Sequence, residues 1–576
     1  MFKKIVFITV LYAGFFAEAQ VMSNEIITNS DVFQKEKAEL VINSNLLLAG
    51  EILLYKTHNL TNSGAVSDLS KLMYVTLRNK KDSVVFNHKL SLNEGVAQGD
   101  FFLPASLKTG VYTLQAYTNF SRNNQEDAFA LKYIYVINPF ISSDEEPEVM
   151  NVSTTKISLD TSKNTIAKQP FENEFMLSTE KTSFGFREKV NLKITNPQGQ
   201  EHEGNYTVSV RKKTPVTILN PQLVGKTETP KPQIFYIPEL RGELISGKIE
   251  ALASNLSVAN KVVSLTIPGK DYIFKIAKTN NVGRFFFSVD EDYNSSKSVV
   301  QVYESNKEQY NLVMDVKELP ANRELKDYNL QLNPNIKDWL NERSIQLQIE
   351  NAYFNIKKDS LLSITPSEPF YDHLGVEYLL DDYTRFPTVK ETFVEVVSLA
   401  GVRRHDGANK FVVFDAYDPE KTAKFSDIDP LVLVDGMLIQ DNEELLNYNA
   451  KEIKSIRVLP EAYRYGPKLY SGIIAVITKK GDFKSALEGD FIKNVKQTSV
   501  LSNKIYYSPE YSTENSLKRI PDNRVQLLWE PNLSLSTQPL EKSFYTSDVS
   551  GTYEVSLEGF TNEGEFIVAK HYFLVE

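Results

Sequence analysis

Residues 430–440 read PLVLVDGMLIQ, and residues 452–481 read EIKSIRVLPEAYRYGPKLYSGIIAVITKKG. An apolar strand, Leu431-Val432-Leu433-Val434, runs into Asp435-Gly436. Asp-Gly is a strong turn signal, because glycine takes φ > 0 without steric cost and aspartate tolerates it. The pattern predicts a second strand through Ile453, Ile456 and Val458, and a third over Ile473-Ile474-Ala475-Val476-Ile477-Thr478. Tyr465-Gly466 and Gly472 supply turn positions between them, and Lys479-Lys480-Gly481 closes the unit. By turn chemistry alone this is a small α+β domain. Asp435, Gly436, Tyr465, Gly466, Gly472 and Gly481 mainly shape its connections, with Asp435 bonding its own turn.

The same order of strands and turns resembles the plug of a TonB-dependent outer-membrane receptor, over roughly 410–483. Such a plug normally sits inside a barrel of the same chain. A plugged barrel takes about 22 strands of roughly 9–11 residues each. Residues 482–576 are too few for that, and they lack the outward-apolar, aromatic-girdled alternation of membrane strands. The resemblance therefore implies a plug-like domain that docks on an outer-membrane β-barrel supplied by another chain, or a free-standing binding domain of the same fold.

The N-terminus bears on location. Lys3-Lys4 precede an apolar run from Ile5 to Phe16, and Ala17-Glu18-Ala19 offers a small-x-small cleavage site before Gln20. This is the layout of a secretory signal peptide, expected over 1–19. The apolar run is short of the about 20 residues that span a bilayer as a helix, and no later segment is long enough either. The chain has no cysteine. That excludes disulfides, thiolate catalysis, cysteine metal sites and an N-terminal lipid-anchored cysteine.

The 576 residues suggest several domains at about 100–200 each. Hydrophobic content is 41% and charged content 24%, as in globular proteins. The net charge of −10, with acids and bases interspersed, argues against nucleic acid, whose phosphates call for a concentrated basic surface.

Residues 20–140 read as short strands. In Val111–Tyr117, Val111, Thr113, Gln115 and Tyr117 alternate with Tyr112, Leu114 and Ala116, the period of a half-buried strand. The segments GEILLYK, KLMYVTL, GDFFLPASLKTGVYTLQAYTNF and YIYVINPF resemble a macroglobulin-type domain. The resemblance implies an immunoglobulin-like sandwich. Protease trapping through a Cys–Gln thioester is ruled out by the missing cysteine. An acidic, Pro-containing linker is expected over 141–174. A second sandwich is expected over 175–236, where Lys189–Ile194 alternates and Asn196-Pro197-Gln198-Gly199 turns. Residues 237–320, with SGKIE and TNNVGRFFF, resemble the regulatory transthyretin-like sandwich appended to carboxypeptidases and receptors. A helical connector is expected over 321–409. It holds one helix from Pro334 with Ile336, Trp339 and Leu340 on a face, and a second over TVKETFVEVVSLAGVRR with Phe393, Val396 and Val397, started by Pro387 and Thr388. The plug-like domain follows over 410–483 and a C-terminal β-sandwich over 484–576. The fold class is mainly β: sandwiches in series with one small α+β domain.

Motifs of chemistry fail on inspection. The six histidines, His58, His88, His202, His373, His405 and His571, show no metal spacing. Glu201-His202-Glu203 lacks a second histidine, since Tyr206 stands there. Asp290, Asp292 and Asn294 open like a calcium loop, but Ser295 replaces its glycine and Gln301 its glutamate. Ser178-Thr179-Glu180-Lys181 matches S-x-x-K without its companion motifs. Asp381-Asp382 with Arg385, and Arg403-Arg404-His405, read as salt-bridged or solvated faces. No catalytic, cofactor-binding or metal residue is expected.

The whole combination resembles macroglobulin-plus-plug proteins of Bacteroidota-type bacteria. It implies an exported, non-enzymatic scaffold in the periplasm or at the outer membrane. Two alternatives stay open: a surface adhesin or glycan-binding protein, since GTYEVSLEGF…KHYFLVE resembles sorting domains, and a hydrolase whose site assembles around His373 or His405.

Overall fold

The computed structural model describes residues 34–124, 128–141, 153–159, 176–196, 202–219, 235–269, 271–291, 293, 295–320, 328–362, 369–405, 407–414, 428–511, 516–535 and 538–576. The expected signal peptide, most of the expected 141–174 linker, Asp292, Asn294 and the side chain of His405 lie outside them. The chain is mainly β. It divides into two compact units, one of Asn24–Glu243, Lys317–Thr365 and Thr498–Glu576, the other of Leu244–Val316 and Pro366–Gln497.

In the larger unit, a three-stranded sheet (Glu36–Ile42, Ile52–Thr61, Val96–Phe102) and a five-stranded sheet (Leu46–Leu48, Ala130–Ile137, Gly110–Tyr117, Leu72–Asn79, Val84–Ser91) share one core. The alternation along 111–117 explains the packing: Tyr112, Leu114 and Ala116 point into that core beside Leu53, Tyr55, Met73 and Val75.

A second pair of sheets unites segments expected as separate sandwiches. Lys189–Thr195 pairs on one edge with Met176–Thr179 and on the other with Leu540–Tyr545. Gly204–Lys212 lies between Gln526–Leu535 and Gly551–Thr561. The 175–236 region and the C-terminal region thus build one core, which joins Val190, Leu192 and Ile194 to Phe544, Val555 and Phe573. Four short strands from residues 176–212 cover too little apolar surface to close a core alone, and the C-terminal strands complete it.

Part of the stretch expected as a linker is also ordered. Ser153–Leu159 is a strand between Val216–Leu219 and Tyr328–Leu332. Against this sheet lies helix α1, Lys337–Ala352, preceded by a 3-10 turn in which Asn333 caps Asn335 N. Ile336, Trp339 and Leu340 pack together beside Ile157, Val111 and Ile137, the face anticipated from their spacing.

The smaller unit begins with sheets Arg284–Val289, Glu243–Ala251, Tyr310–Met314 and Ile273–Lys278, Val262–Ile267, Lys297–Val302, Ile492–Lys496, around Phe285, Phe287, Leu265 and Val300. Ile492–Lys496, expected in the C-terminal sandwich, pairs antiparallel with Lys297–Val302. A five-stranded sheet follows, in the order Val376–Leu379, Ile453–Leu459, Ile473–Thr478, Leu431–Val434, Met437–Leu438. Helices α2 (Val389–Glu395) and α3 (Asn442–Leu446) and the hairpin Ala400–His405/Ala408–Val413 accompany it. Leu431–Val434 and Ile473–Thr478 pair in parallel and are buried on both faces, which is why LVLV and IIAVI are unbroken apolar runs. Val432, Val434, Ile474 and Val476 face one core with Phe393 and Leu445. Leu431, Leu433, Ile473 and Ala475 face another with Tyr272 and Phe274.

Helix α2 is shorter than the expected TVKETFVEVVSLAGVRR helix. Thr388 and Glu391 form a reciprocal capping box at its start, as Pro387-Thr388 suggested. It ends at Glu395, and Ala400–His405 is a strand. Tyr378 holds the exit: its hydroxyl accepts from Leu399 N at 3.3 Å and lies 3.0 Å from Ser398 Oγ.

Candidate functional site: the Asp-Gly turn and its sheet

Asp435 (φ +48°) and Gly436 (φ +79°) form a two-residue hairpin between Leu431–Val434 and Met437–Leu438. Both central residues take positive φ, the geometry that matches the twist of the flanking strands. The Asp435 side chain does not bond its own turn, as the sequence had suggested. It is fully buried and reaches the neighbouring strand, where Oδ1 accepts from Thr478 N at 2.8 Å and Oδ2 from Thr478 Oγ1 at 2.6 Å. Oδ2 also accepts from Phe483 N at 3.1 Å, and Thr478 Oγ1 accepts from Gly481 N at 2.9 Å. One carboxylate therefore ties the Asp-Gly turn to the Lys479-Lys480-Gly481 turn. A buried carboxylate persists because N–H and O–H donors replace its water.

The other motif residues also turn inward. The Gly436 carbonyl accepts from Thr266 Oγ1 at 3.0 Å, and a Cβ at Gly436 would stand 2.4 Å from the Tyr272 ring. Tyr272 and Tyr371 share a hydroxyl–hydroxyl bond of 2.6 Å. Burial, the Tyr371 neighbour and the Asp435 charge hold the Tyr272 hydroxyl well above its ordinary pKa. Tyr465 donates to Phe274 O at 2.6 Å and stacks on Phe370 with centroids 4.0 Å apart; burial pushes its pKa up. Gly466 (φ +51°) opens the turn between Tyr463–Tyr465 and Lys468–Tyr470, beside Ile276. At Gly472 a Cβ would meet Leu459 O at 2.6 Å. The motif thus seats the five-stranded sheet on strand Ile273–Lys278 of the adjacent sandwich.

What the same sheet offers to solvent was not anticipated. Its edge strand Val376–Leu379 bonds one neighbour, Ile453–Leu459. Leu374, Val376, Leu379, Tyr383 and, on α2, Val394 are exposed, Val394 at 70%. The sequence signal was present, since VEYL places apolar side chains on both sides of a short strand.

The ionisable clusters hold structure. Arg385 donates to Asp381, to Ala450 O at 3.0 Å and to Ile453 O at 2.6 Å. Arg403 lies over Phe414. His58 is buried 4.8 Å from the Phe560 ring, His88 lies 2.6 Å from Tyr55 Oη, His571 lies 3.0 Å from Thr179 Oγ1, and His373 is exposed beside Asp372. His202 gives its carbonyl to Tyr206 Oη at 2.8 Å. Asp290 pairs with Lys275.

No described protein family matches the sequence, and no curated protein does. Among solved structures, trypsin-activated alpha-2-macroglobulin from Escherichia coli overlaps 94% of this chain at 10% identity and a TM-score of 0.24. Salmonella alpha-2-macroglobulin reacted with methylamine overlaps 94% at 9% identity and a TM-score of 0.23. Dimeric latent PorU from Porphyromonas gingivalis overlaps 49% at 10% identity and a TM-score of 0.16, and 33% of that chain is covered. The chain spans less than half the length of these macroglobulins, 42% and 39%. Overlaps this loose carry neither fold nor function across.

Proposed function

We propose that the protein is an exported, non-enzymatic envelope scaffold whose plug-like domain, 410–483, docks on an outer-membrane β-barrel of another chain. The observation that carries this reading is the division of labour within the plug-like sheet. In the five-stranded sheet that residues 376–379 complete beside 410–483, the motif residues pack internally, while this edge strand and α2 leave Leu374, Val376, Leu379 and Val394 facing water. A bare strand edge beside apolar side chains is a surface that folded proteins normally cover or pair. No helix of the described residues is long and apolar enough to cross a membrane.

The test is capture of the tagged native protein from detergent-solubilised envelope, with mass spectrometry of what accompanies it. A stoichiometric outer-membrane barrel, lost when Val376, Leu379 and Val394 are each replaced by Glu, supports the reading. Recovery of the protein without any barrel rejects docking as its stable state.

A further inference from the structure

Helix α1 carries Trp339, Glu342, Arg343 and Gln346 at i, i+3, i+4 and i+7, which sets the four on one side of the helix. Facing them is the end of strand Gly204–Lys212, with Lys212, Lys213 and Thr214. Together they line an open cleft of about 350 Å³, counted with its solvent-filled mouth.

The charges of this cleft do not balance. Glu51 is shared by two guanidiniums, accepting from Arg211 Nη2 at 3.0 Å and from Arg343 Nη2. Glu342 is engaged by Gln346 Nε2 at 3.0 Å. The Lys212 ammonium makes no hydrogen bond or salt bridge among the described residues, and the Lys213 ammonium has only the Tyr572 ring, 5.7 Å away. Among the described residues, Arg211 and Arg343 pair with Glu51 and the acid beside Lys212 is Glu342, in a chain whose net charge is −10. Burial lowers the Lys212 pKa; Glu342 opposes this and Arg343 adds to it. The fold keeps room for this side chain, since a Cβ at Gly551 would stand 2.9 Å from Lys212 Cε. An ammonium with no bonded partner of its own, held in a concavity beside a fixed guanidinium, favours an anionic oxygen group, which replaces lost hydration with charge-assisted bonds.

We propose that this cleft binds a small acidic ligand. Lys212, Lys213 and Arg343 hold its carboxylate, sulfate or phosphate group, and the indole of Trp339 forms the apolar wall. This inference stands apart from barrel docking and involves none of the plug-like residues.

Trp339 and Trp529 are the only tryptophans of the sequence, and Trp529 is buried. Trp339 emission therefore reports on the cleft. The full chain is titrated with galacturonate, inorganic sulfate and inorganic phosphate at constant ionic strength, with galactose and chloride as controls. The expected result is a saturable change with at least one oxyanion and none with galactose; the three arms separate the oxyanions. Lys212→Met together with Lys213→Met keeps the apolar stems and weakens Kd by about tenfold or more, while Glu342→Gln tightens it by about threefold. With Trp339→Phe the optical change is lost while calorimetry still records binding. A response no different from chloride, or an unchanged Kd in the folded Met variant, overturns the proposal. If that variant does not fold, failure of Glu342→Gln to tighten binding overturns it.

Discussion

Asp435 and Thr478, 43 positions apart in sequence, are joined by two hydrogen bonds to one carboxylate: Thr478 N to Oδ1 at 2.8 Å and Thr478 Oγ1 to Oδ2 at 2.6 Å. With Phe483 N also donating, the pair closes the five-stranded sheet across two turns. Asp435→Asn keeps the size and the turn but sets an NH2 group against donors. A loss of about 2–3 kcal/mol is expected, read by denaturant unfolding of the smaller unit's transition.

Gly436 tests the packing of the same turn on the sandwich. Its φ of +79° and the Tyr272 ring, 2.4 Å from where a Cβ would stand, both oppose a side chain. Gly436→Ala is expected to cost roughly 2–4 kcal/mol. Gly407 is the control, with φ +85° and nothing within 4 Å of its added Cβ, so Gly407→Ala carries only the backbone cost of about 1–2 kcal/mol. Equal melting temperatures for the two variants would remove the Tyr272 contact from the account.

His88 makes the first sandwich acid-sensitive. Burial and then the Lys504 charge lower its pKa from 6.5 to about 4. Between those values the unfolded chain carries the proton and the folded chain does not. Stability is therefore complete above about pH 6.5 and is lost as pH falls toward 4, by about 3–4 kcal/mol in all. Replacing His88 with Phe should flatten this limb of the stability-versus-pH curve.

Lys89 and Glu243 form a buried ion pair at 2.8 Å, with side chains 2% and 6% exposed. Lys317 also reaches Glu243, at 3.3 Å, and Glu239, at 3.2 Å, so Glu243→Gln leaves two ammoniums beside one carboxylate and is expected to cost about 3–5 kcal/mol. Lys89→Met combined with Glu243→Leu should cost much less than the single change. A double-mutant cycle in urea measures the difference.

What was legible in the sequence is what local chemistry encodes. The alternation of Tyr112, Leu114 and Ala116, the Ile336–Trp339–Leu340 face, the Thr388 cap and the Asp-Gly turn each follow from a few adjacent residues. Partners distant in sequence were not legible. Val190 pairs with Phe544 and Val299 with Asn494, and no periodicity within either strand names its neighbour. Asp435 shows the same limit, because its turn was evident and its acceptor role toward Thr478 was not. The strand at Ala400–His405 was hidden for a third reason. Val396 and Val397 continue a helical spacing, but the Tyr378 hydroxyl on another strand turns the chain out of the helix.

The most direct test of the docking reading is site-specific photocrosslinking in intact cells. A photoreactive residue is placed at Val376, Leu379 or Val394, with Leu252 of the sandwich as an exposed control. One outer-membrane β-barrel protein is expected to be captured from Val376, Leu379 and Val394 and not from Leu252. Crosslinks to no barrel from any of the three, in protein that is folded and exported, would contradict it.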